Sequence, residues 1–512
     1  MYLCIIMSNQ SRHDSTTDND ATYDHIVKYI GLFGGVQGLN MLISIVRNKI
    51  TAYLLGPSGI GLINIYNKVV GLIGQSTNLG ISFSAVKHVA ELSESADNQR
   101  RDELIDTVRM WCMMTAALGM LVGLALSPAI SWWTFKNYEY TQTFCSLSLI
   151  VAMTAITGGE VAILKGLKQL KKVALISVFA ALATLAICIP FYYSMGVNGI
   201  VAALVISNAA ILAIHLYYSS KVAPWRKTIT TLKSIQAGIP MAKLGIAYVL
   251  AGLFGQGSDY IIISFIQNNA NLDYVGLYNT GYFLAINIGS MLFVAVEADF
   301  FPRLSSLVND AKRVNTTINR QIKVCALLIS PCLILEVIAM PIIVNLLYTT
   351  EFAQASPMAT LGIFHLFFKS LTLPLAYLPL AKGDSTTYFI SELLYDIFVA
   401  IAVPIFFAKY SLLGAGIALS LASIFDLFFI HIYYGVKYKF RFSLRPIRSY
   451  ILQFILLGVC VYAAFFEHSW TKWLIYICTS CISVCLSYKE LGHRNSSAKH
   501  LTKKIKSKKS KL

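Results

Sequence analysis

Apolar residues arrive along this chain in long, nearly unbroken runs rather than in the alternating or three-and-four-spaced patterns of soluble elements. A helix needs about 20 mostly apolar residues to cross a bilayer. Runs of that kind lie near residues 28–52, 59–90, 106–133, 140–164, 172–195, 197–219, 236–265, 274–300, 322–348, 353–380, 385–408, 411–436, 448–467 and 470–488. The pattern predicts an all-α polytopic membrane protein of about 14 transmembrane helices. Little chain is left between the runs, so no sizeable extramembrane domain is expected.

Composition agrees: of 512 residues 56% are hydrophobic and 13% charged, and the mean hydropathy is +0.62, far outside soluble usage. The net charge of +17 raises nucleic acid as a partner, but its placement excludes that reading. With the N-terminus in the cytoplasm, the inside connections hold Lys165, Lys168, Lys171 and Lys172, then Lys221, Arg226, Lys227 and Lys233, then Arg303, Lys312, Arg313, Arg320 and Lys323. Lys437, Lys439, Arg441, Arg445 and Arg448 follow, and nine more cations lie from Lys489 to Lys511. Outside connections hold Lys136, Lys409 and Lys472, a bias of 27 to 3 over these segments that obeys the positive-inside rule. Both termini are therefore expected in the cytoplasm, with the basic tail facing anionic lipid headgroups. The opening residues lack the pattern of a signal peptide; Met7 is an alternative start, and residues 8–22 are expected to be disordered.

Two halves of the chain echo each other. IHLYYSSK at 214–221 recurs as IHIYYGVK at 430–437, GLIN at 61–64 recurs as GLYN at 276–279, and Pro190 recurs as Pro404. Offsets this similar imply duplication of a six-helix unit, with a substrate path where the halves meet. The expected organisation is a cytoplasmic segment over 1–27, a first lobe over 28–220, a cytoplasmic linker over 221–235, a second lobe over 236–437, two appended helices over 438–488 and a basic tail over 489–512. Matched halves with short outside loops point to a transporter rather than an enzyme. Nucleotide-binding and metalloprotease signatures are missing from the sequence, and no cofactor is called for.

Charges inside apolar spans cost roughly 2.5–3.5 kcal/mol each on insertion scales and persist where they face a cavity or a partner. The cations are Arg47, Lys49, Lys68, Lys87, Lys243 and Lys369, and the anions are Glu160, Asp259, Glu297, Asp299, Glu336, Glu392, Asp396 and Asp426. Of these, Lys87, Glu297 and Asp299 lie near span ends and are read as snorkelling to the interface. Cations predominate in the first half and carboxylates in the second, which suggests an anionic head group received by one and a coupling cation held by the other. In FISELLYDIFVAIAVPIFFA, 389–408, Glu392 and Asp396 stand one turn apart. Two ionised carboxylates so placed repel, so a proton, a bound cation or a cationic partner such as Lys369 must relieve them.

The runs RNKITAYLLGPSGIGLINIYNKVVGLIGQSTNLGISFSAVKHVAE, 47–91, and VGLYNTGYFLAINIGSMLFVAVEADFFPRLSSL, 275–307, resemble the Wzx-type O-antigen and polysaccharide flippases, including lipid III flippases, of the multidrug/oligosaccharidyl-lipid/polysaccharide exporter superfamily. The resemblance implies two six-helix lobes around a central cavity and a substrate of undecaprenyl-diphosphate-linked oligosaccharide, flipped by alternating access across a bacterial inner membrane. Arg47, Lys49, Lys68 and Lys369 are the candidate diphosphate binders, because guanidinium and ammonium groups suit phosphate. Arg47 matches a cavity arginine of related lipid II flippases, where the next residue is usually acidic; here it is Asn48. Asp259, Glu392, Asp396 and Asp426 fall on spans seven, eleven and twelve, which carry the ion sites of relatives. The coupling ion is Na+ or H+, with the extra carboxylate Glu392 raising the proton reading. Membrane lipids and other polysaccharide assembly proteins are the expected partners.

Two rivals remain. A multidrug antiporter of the same superfamily would favour an acidic cavity, and a membrane glycosyltransferase or polymerase would need larger outside loops. The orientation predicts that green fluorescent protein fused after Leu512 will fluoresce while alkaline phosphatase fused there stays inactive; the reverse pattern would refute it.

Overall fold

The computed structural model describes residues 19–94, 98–225, 232–287, 289–290, 293, 300–301, 303–444, 446–465 and 470–509. Thirteen α-helices occupy them: α1 Asn19–Thr77, α2 Ile81–Glu94, α3 Asn98–Phe135, α4 Thr141–Gly166, α5 Leu170–Met195, α6 Ile200–Ser220, α7 Leu232–Asn269, α8 Leu272–Tyr282, α9 Ala311–Leu347, α10 Ser356–Lys382, α11 Ser385–Tyr438, α12 Ile447–Ala464 and α13 Trp470–Lys509. No strand occurs among the described residues; helices satisfy their own peptide groups within each span, as a lipid solvent demands of any span outside a closed barrel. The alternative start at Met7 lies outside the described residues, as does 8–18 of the segment expected to be disordered; its last residues, 19–22, are already helical. At the other end, α13 runs on through the basic tail to Lys509.

By length and composition eight helical segments among the described residues could cross a membrane, or nine if the bent pair Gly38–Thr77 and Ile81–Ser93 is one span. Two of the eight turn back on themselves. Leu170–Ser220, straight, would be about 77 Å long against a hydrocarbon core of about 30 Å. It folds at the 3-10 turn Gly196–Gly199, stacking Phe179 on Tyr218 with centroids 6.2 Å apart and bringing Cys188 Sγ to 3.5 Å from Ser207 Oγ. In α11 the break is Ser411; Phe398 stacks on Phe425 at 4.6 Å and Ser391 Oγ meets Tyr434 Oη at 3.1 Å. The helices alone do not establish fourteen crossings. The first two apolar runs are joined into α1 across a break at Gly56, the second is itself broken by Leu79 and Gly80 with a 54° bend, and the eighth is only partly described.

The duplication is written in the backbone. Gly196 (φ 56, ψ −134) and Ser411 (φ 54, ψ −141) make the same turn 215 residues apart. At the same spacing, a Cβ on Gly199 would overlap the Phe191 carbonyl and press on Met195, and one on Gly414 would overlap the Phe406 carbonyl and press on Tyr410. Lys168 and Gly383 take left-handed φ of 56° and 72°. Lys168 N–H donates to Lys165 and Gln169 N–H to Leu164; correspondingly Gly383 N–H donates to Leu380 and Asp384 N–H to Pro379.

Packing divides the chain into two compact units, one of Ser15–Asn279 with Leu346–Phe352 and one of Thr280–Asn345 with Ala353–Leu512. In the first, α7 packs on α1, α2 and α3, so the packing unit extends past the sixth run that ends the sequence repeat. The two copies of the GL-N motif meet there. A Cβ on Gly61 would overlap the Leu272 carbonyl, and one on Gly276 would overlap the Pro57 carbonyl; each glycine also faces the other's amide nitrogen, at 3.2 Å from such a Cβ. The contact is reciprocal, each glycine seated on the carbonyl four residues before the other. Gly61→Ala and Gly276→Ala should each lower stability by about 1–3 kcal/mol through overpacking. Gly74→Ala, where nothing stands within 4 Å, should not; equal melting temperatures for all three in detergent would refute the contact.

Candidate functional site

In the first unit several charges on apolar helices meet a partner. Lys68 of α1 donates to Asp259 of α7, both partly exposed at 28% and 36%. The pair begins a polar seam between antiparallel helices: one turn on, a Cβ on Gly71 would stand 3.2 Å from the Gln256 amide oxygen, and beyond it Gln75 lies against Gly252. Glycine on each helix makes room for glutamine on the other. Lys49 donates to the Tyr348 carbonyl. Arg47 is half-buried, within electrostatic reach of Tyr192, and has no ion-pair partner among the described residues.

A second ion pair in this unit was not legible in sequence. Arg109, three turns into α3, is 4% exposed and Glu160, late in α4, 1%. Nε and Nη2 donate to the two carboxylate oxygens at 2.9 and 3.1 Å. Nη2 and Nη1 reach the Ala223 and Pro224 carbonyls at 2.8 and 3.2 Å. Trp225 caps the guanidinium, its ring centroid 4.6 Å away, and Ser219 donates to Glu160. Removing one partner of such a pair typically costs about 3–5 kcal/mol, because the other is left buried and uncompensated. Its role here is to tie α3 to the late turns of α4 and the end of α6. Glu160 stood out as an intramembrane anion, whereas Arg109 sits at a span edge, where arginine is unremarkable.

The second unit gathers Lys369, Asp426, Glu392 and Asp396. Lys369 Nζ lies 3.4 Å from Asp426 Oδ2, with Asp426 4% exposed. Glu392 is within electrostatic reach of both, and the Tyr395 ring centroid is 5.1 Å from Nζ. Asp396, one turn beyond Glu392, acts on the same tyrosine. His365, one turn before Lys369, bonds Ser423 and stands 3.4 Å from the Tyr395 hydroxyl; His365 and Tyr395 gave no signal in sequence. Lys369 thus faces two carboxylates, Asp426 and Glu392, while Asp396 acts on the neighbouring tyrosine. At the corresponding positions, 215 residues earlier, the first repeat has Thr154, Ser177, Ala181 and Ile211. The charge belongs to one repeat only.

Glu336 of α9 is 8% exposed, and its Oε1 has no hydrogen-bond partner among the described residues. The side chain of Lys243, and Glu297 and Asp299, lie outside the described residues. No group of three or more His, Cys, Asp or Glu side chains that could hold a metal ion occurs among the described residues.

The ends of α10 and α11 are locked by Asp384, the N-cap of α11. It accepts from Thr387 N–H at 3.1 Å, from Tyr438 Oη at 2.6 Å and from Lys437 Nζ at 2.7 Å. The Lys437 hydrogen bond, followed by that of Tyr438, holds the Asp384 carboxyl well below the usual carboxylate range.

The described helices superpose on solved transporters. The lipid II flippase MurJ in an inward closed conformation matches with a TM-score of 0.66 at 14% identity, covering 90% of this chain and 99% of that one. An inward-facing multidrug resistance MATE transporter of the MOP superfamily matches at 0.62 and 14%, covering 79% and 96%. A MOP superfamily transporter from Pyrococcus furiosus, described as having a binding pocket of reverse polarity, matches at 0.55 and 14%, covering 79% and 94%. No curated protein matches by sequence. The fold is that of these multi-pass membrane flippases and transporters. The family model described as polysaccharide biosynthesis protein matches residues 50–357, more than half of the chain, and the chain belongs to that family.

A depressed carboxyl stabilises the fold above its unfolded value and loses that contribution as pH falls toward its folded value. Asp384→Asn should therefore lower the melting temperature at neutral pH, and its difference from the natural protein should shrink below about pH 4, where unfolded aspartate protonates. A difference that persists unchanged into acid would refute the assignment.

Proposed function

We propose that the protein is an ion-coupled flippase of the bacterial inner membrane, with cytoplasmic termini. Its substrate is undecaprenyl-diphosphate-linked oligosaccharide, an O-antigen or similar repeat unit, moved from the cytoplasmic to the periplasmic leaflet. The observation that carries the coupling is the Lys369, Asp426, Glu392 cluster, present in one repeat and replaced by uncharged residues in the other. Two carboxylates on one lysine leave charge that a proton or Na+ can neutralise, and a site whose occupancy alters that balance can bias two conformations. Glu392 and Asp396, one turn apart on α11, are the coupling carboxylates in this reading, beside the Lys369–Asp426 pair.

Pairing also sorts the diphosphate candidates. Lys68 is held by Asp259 and Lys369 by Asp426, whereas Arg47 has no carboxylate on it among the described residues and carries the fork geometry that suits a diphosphate. Arg47 is the principal phosphate contact in this reading, with Lys49 beside it and with Lys68 and Lys369 available only if their pairs open. The family's place in polysaccharide biosynthesis and the flippase fold over 90% of the chain support a lipid-linked sugar. The multidrug transporters, whose match stops at 79% of the chain, are the second reading, favoured by the acidic cluster.

Deleting the gene should leave lipid-linked oligosaccharide on the cytoplasmic leaflet, with drug susceptibility unchanged. In complementation, Glu392→Gln, Asp396→Asn and Arg47→Gln should each cut flipping within the roughly 5–150-fold range of typical coupling energies, with normal protein levels. Full surface polysaccharide in the deletion strain would remove the flippase reading, and full activity of both carboxylate variants would remove the coupling site.

A further inference from the structure

A cavity of about 790 Å³ opens in the second unit, where the start of α9, the connection over 439–444, Pro446 and α13 meet. Amides of α9 fasten the connection: Asn315 Oδ1 accepts from Arg441 N–H at 2.9 Å, Asn319 Nδ2 donates to the Arg441 carbonyl at 2.9 Å, and Asn319 Oδ1 accepts from Ser443 N–H at 2.7 Å. This places Arg441 across the turn of α9 that ends in Arg320. Both arginines line the cavity and are exposed, and neither guanidinium has an ion-pair partner among the described residues. The third cation of the lining, Lys323, is paired with Glu490 of α13, which also accepts from Ser449 Oγ at 3.1 Å. Phe442, Pro446 and Leu491 complete the lining with apolar surface.

Two uncompensated guanidiniums facing one cavity repel each other, and an anion between them relieves that repulsion. Guanidinium forks fit phosphate oxygens. Free phosphate would need no apolar wall, whereas a lipid phosphate brings glycerol and the first acyl carbons with it. The charge bias of the connections puts this end at the cytoplasmic leaflet, where anionic lipids concentrate and basic pockets between spans bind their head groups. We propose that the cavity binds the phosphate of an anionic phospholipid, with Arg320 and Arg441 as its ligands and Phe442, Pro446 and Leu491 against the glycerol and upper acyl chain. The site does not depend on what the protein transports. It gives α13 and the start of α12 the task of walling a lipid site.

Native mass spectrometry of the full chain, reconstituted with phosphatidylglycerol or with phosphatidylcholine, tests this. The natural protein should retain phosphatidylglycerol after delipidation, and Arg320→Gln with Arg441→Gln should reduce retention about tenfold, equivalent to about 1.4 kcal/mol, with phosphatidylcholine retention unaltered. Equal phosphatidylglycerol retention by both proteins would overturn the proposal. Displacement of the lipid by excess inorganic phosphate would reassign the cavity to a free anion and overturn it as well. If the double variant is not monodisperse, Arg441→Lys, which keeps the charge and loses the fork, should still lower retention; unchanged retention there counts against the site.

Discussion

Each charge placed in an apolar helix must find an opposite charge, a carbonyl or water within reach, and this constraint organises the packing of both units. An isolated ion at the centre of a span costs roughly 2.5–3.5 kcal/mol on insertion scales, so a helix bearing one is drawn to whichever neighbour can offset it. Lys68 and Asp259 join α1 to α7. Arg109 and Glu160 join α3 to α4 and, through the Ala223 and Pro224 carbonyls, to the chain after α6. Lys369 and Asp426 join α10 to the second arm of α11. The apolar faces supply area for contact, but apolar faces are nearly interchangeable in lipid, where helices gain little from hiding them. The polar pairs supply register.

Pairing also changes what the charges can do. Along the chain, the cations of the N-terminal half and the carboxylates of the C-terminal half resemble two separate reagents. In space Lys68 already answers Asp259, and Lys369 already answers Asp426. What stands out after that pairing is smaller and more specific: Arg47 in the first unit, and Glu392 beside the Lys369–Asp426 pair in the second.

Much of this was legible in sequence, and the parts that were not share a cause. Apolar run length identified the helices, because a run of about 20 apolar residues suits a spanning helix and is far longer than a barrel strand. Recurrent GLIN and IHLYY segments revealed the repeat, since a duplicated backbone keeps its turns, as Gly196 and Ser411 do. Arg109 was missed because an arginine at a span edge looks like topology, and only the fold brings it to Glu160, 51 residues later. Likewise His365 and Tyr395 are ordinary in an apolar helix until α10 and α11 pack. Partners distant along the chain follow from tertiary packing, which local composition does not encode. The break at Leu79 and Gly80 could have been anticipated from the polar run QSTN before it, had the length of the second apolar run not suggested a continuous helix.

The two hairpins, α5 with α6 and α11, have a history as well as a geometry. Both turn through the same left-handed residue, glycine in one and serine in the other, and both keep the tight approach at Gly199 and Gly414. Only the later copy bears Glu392 and Asp426; its counterpart has Ser177 and Ile211. Once a gene carries two copies of one scaffold, either can drift while the other preserves the architecture. The hairpin without acidic residues is then a built-in record of what the scaffold needs to stand, against which every acidic residue of its twin can be counted as a later specialisation or as an ancestral trait that one copy alone retained.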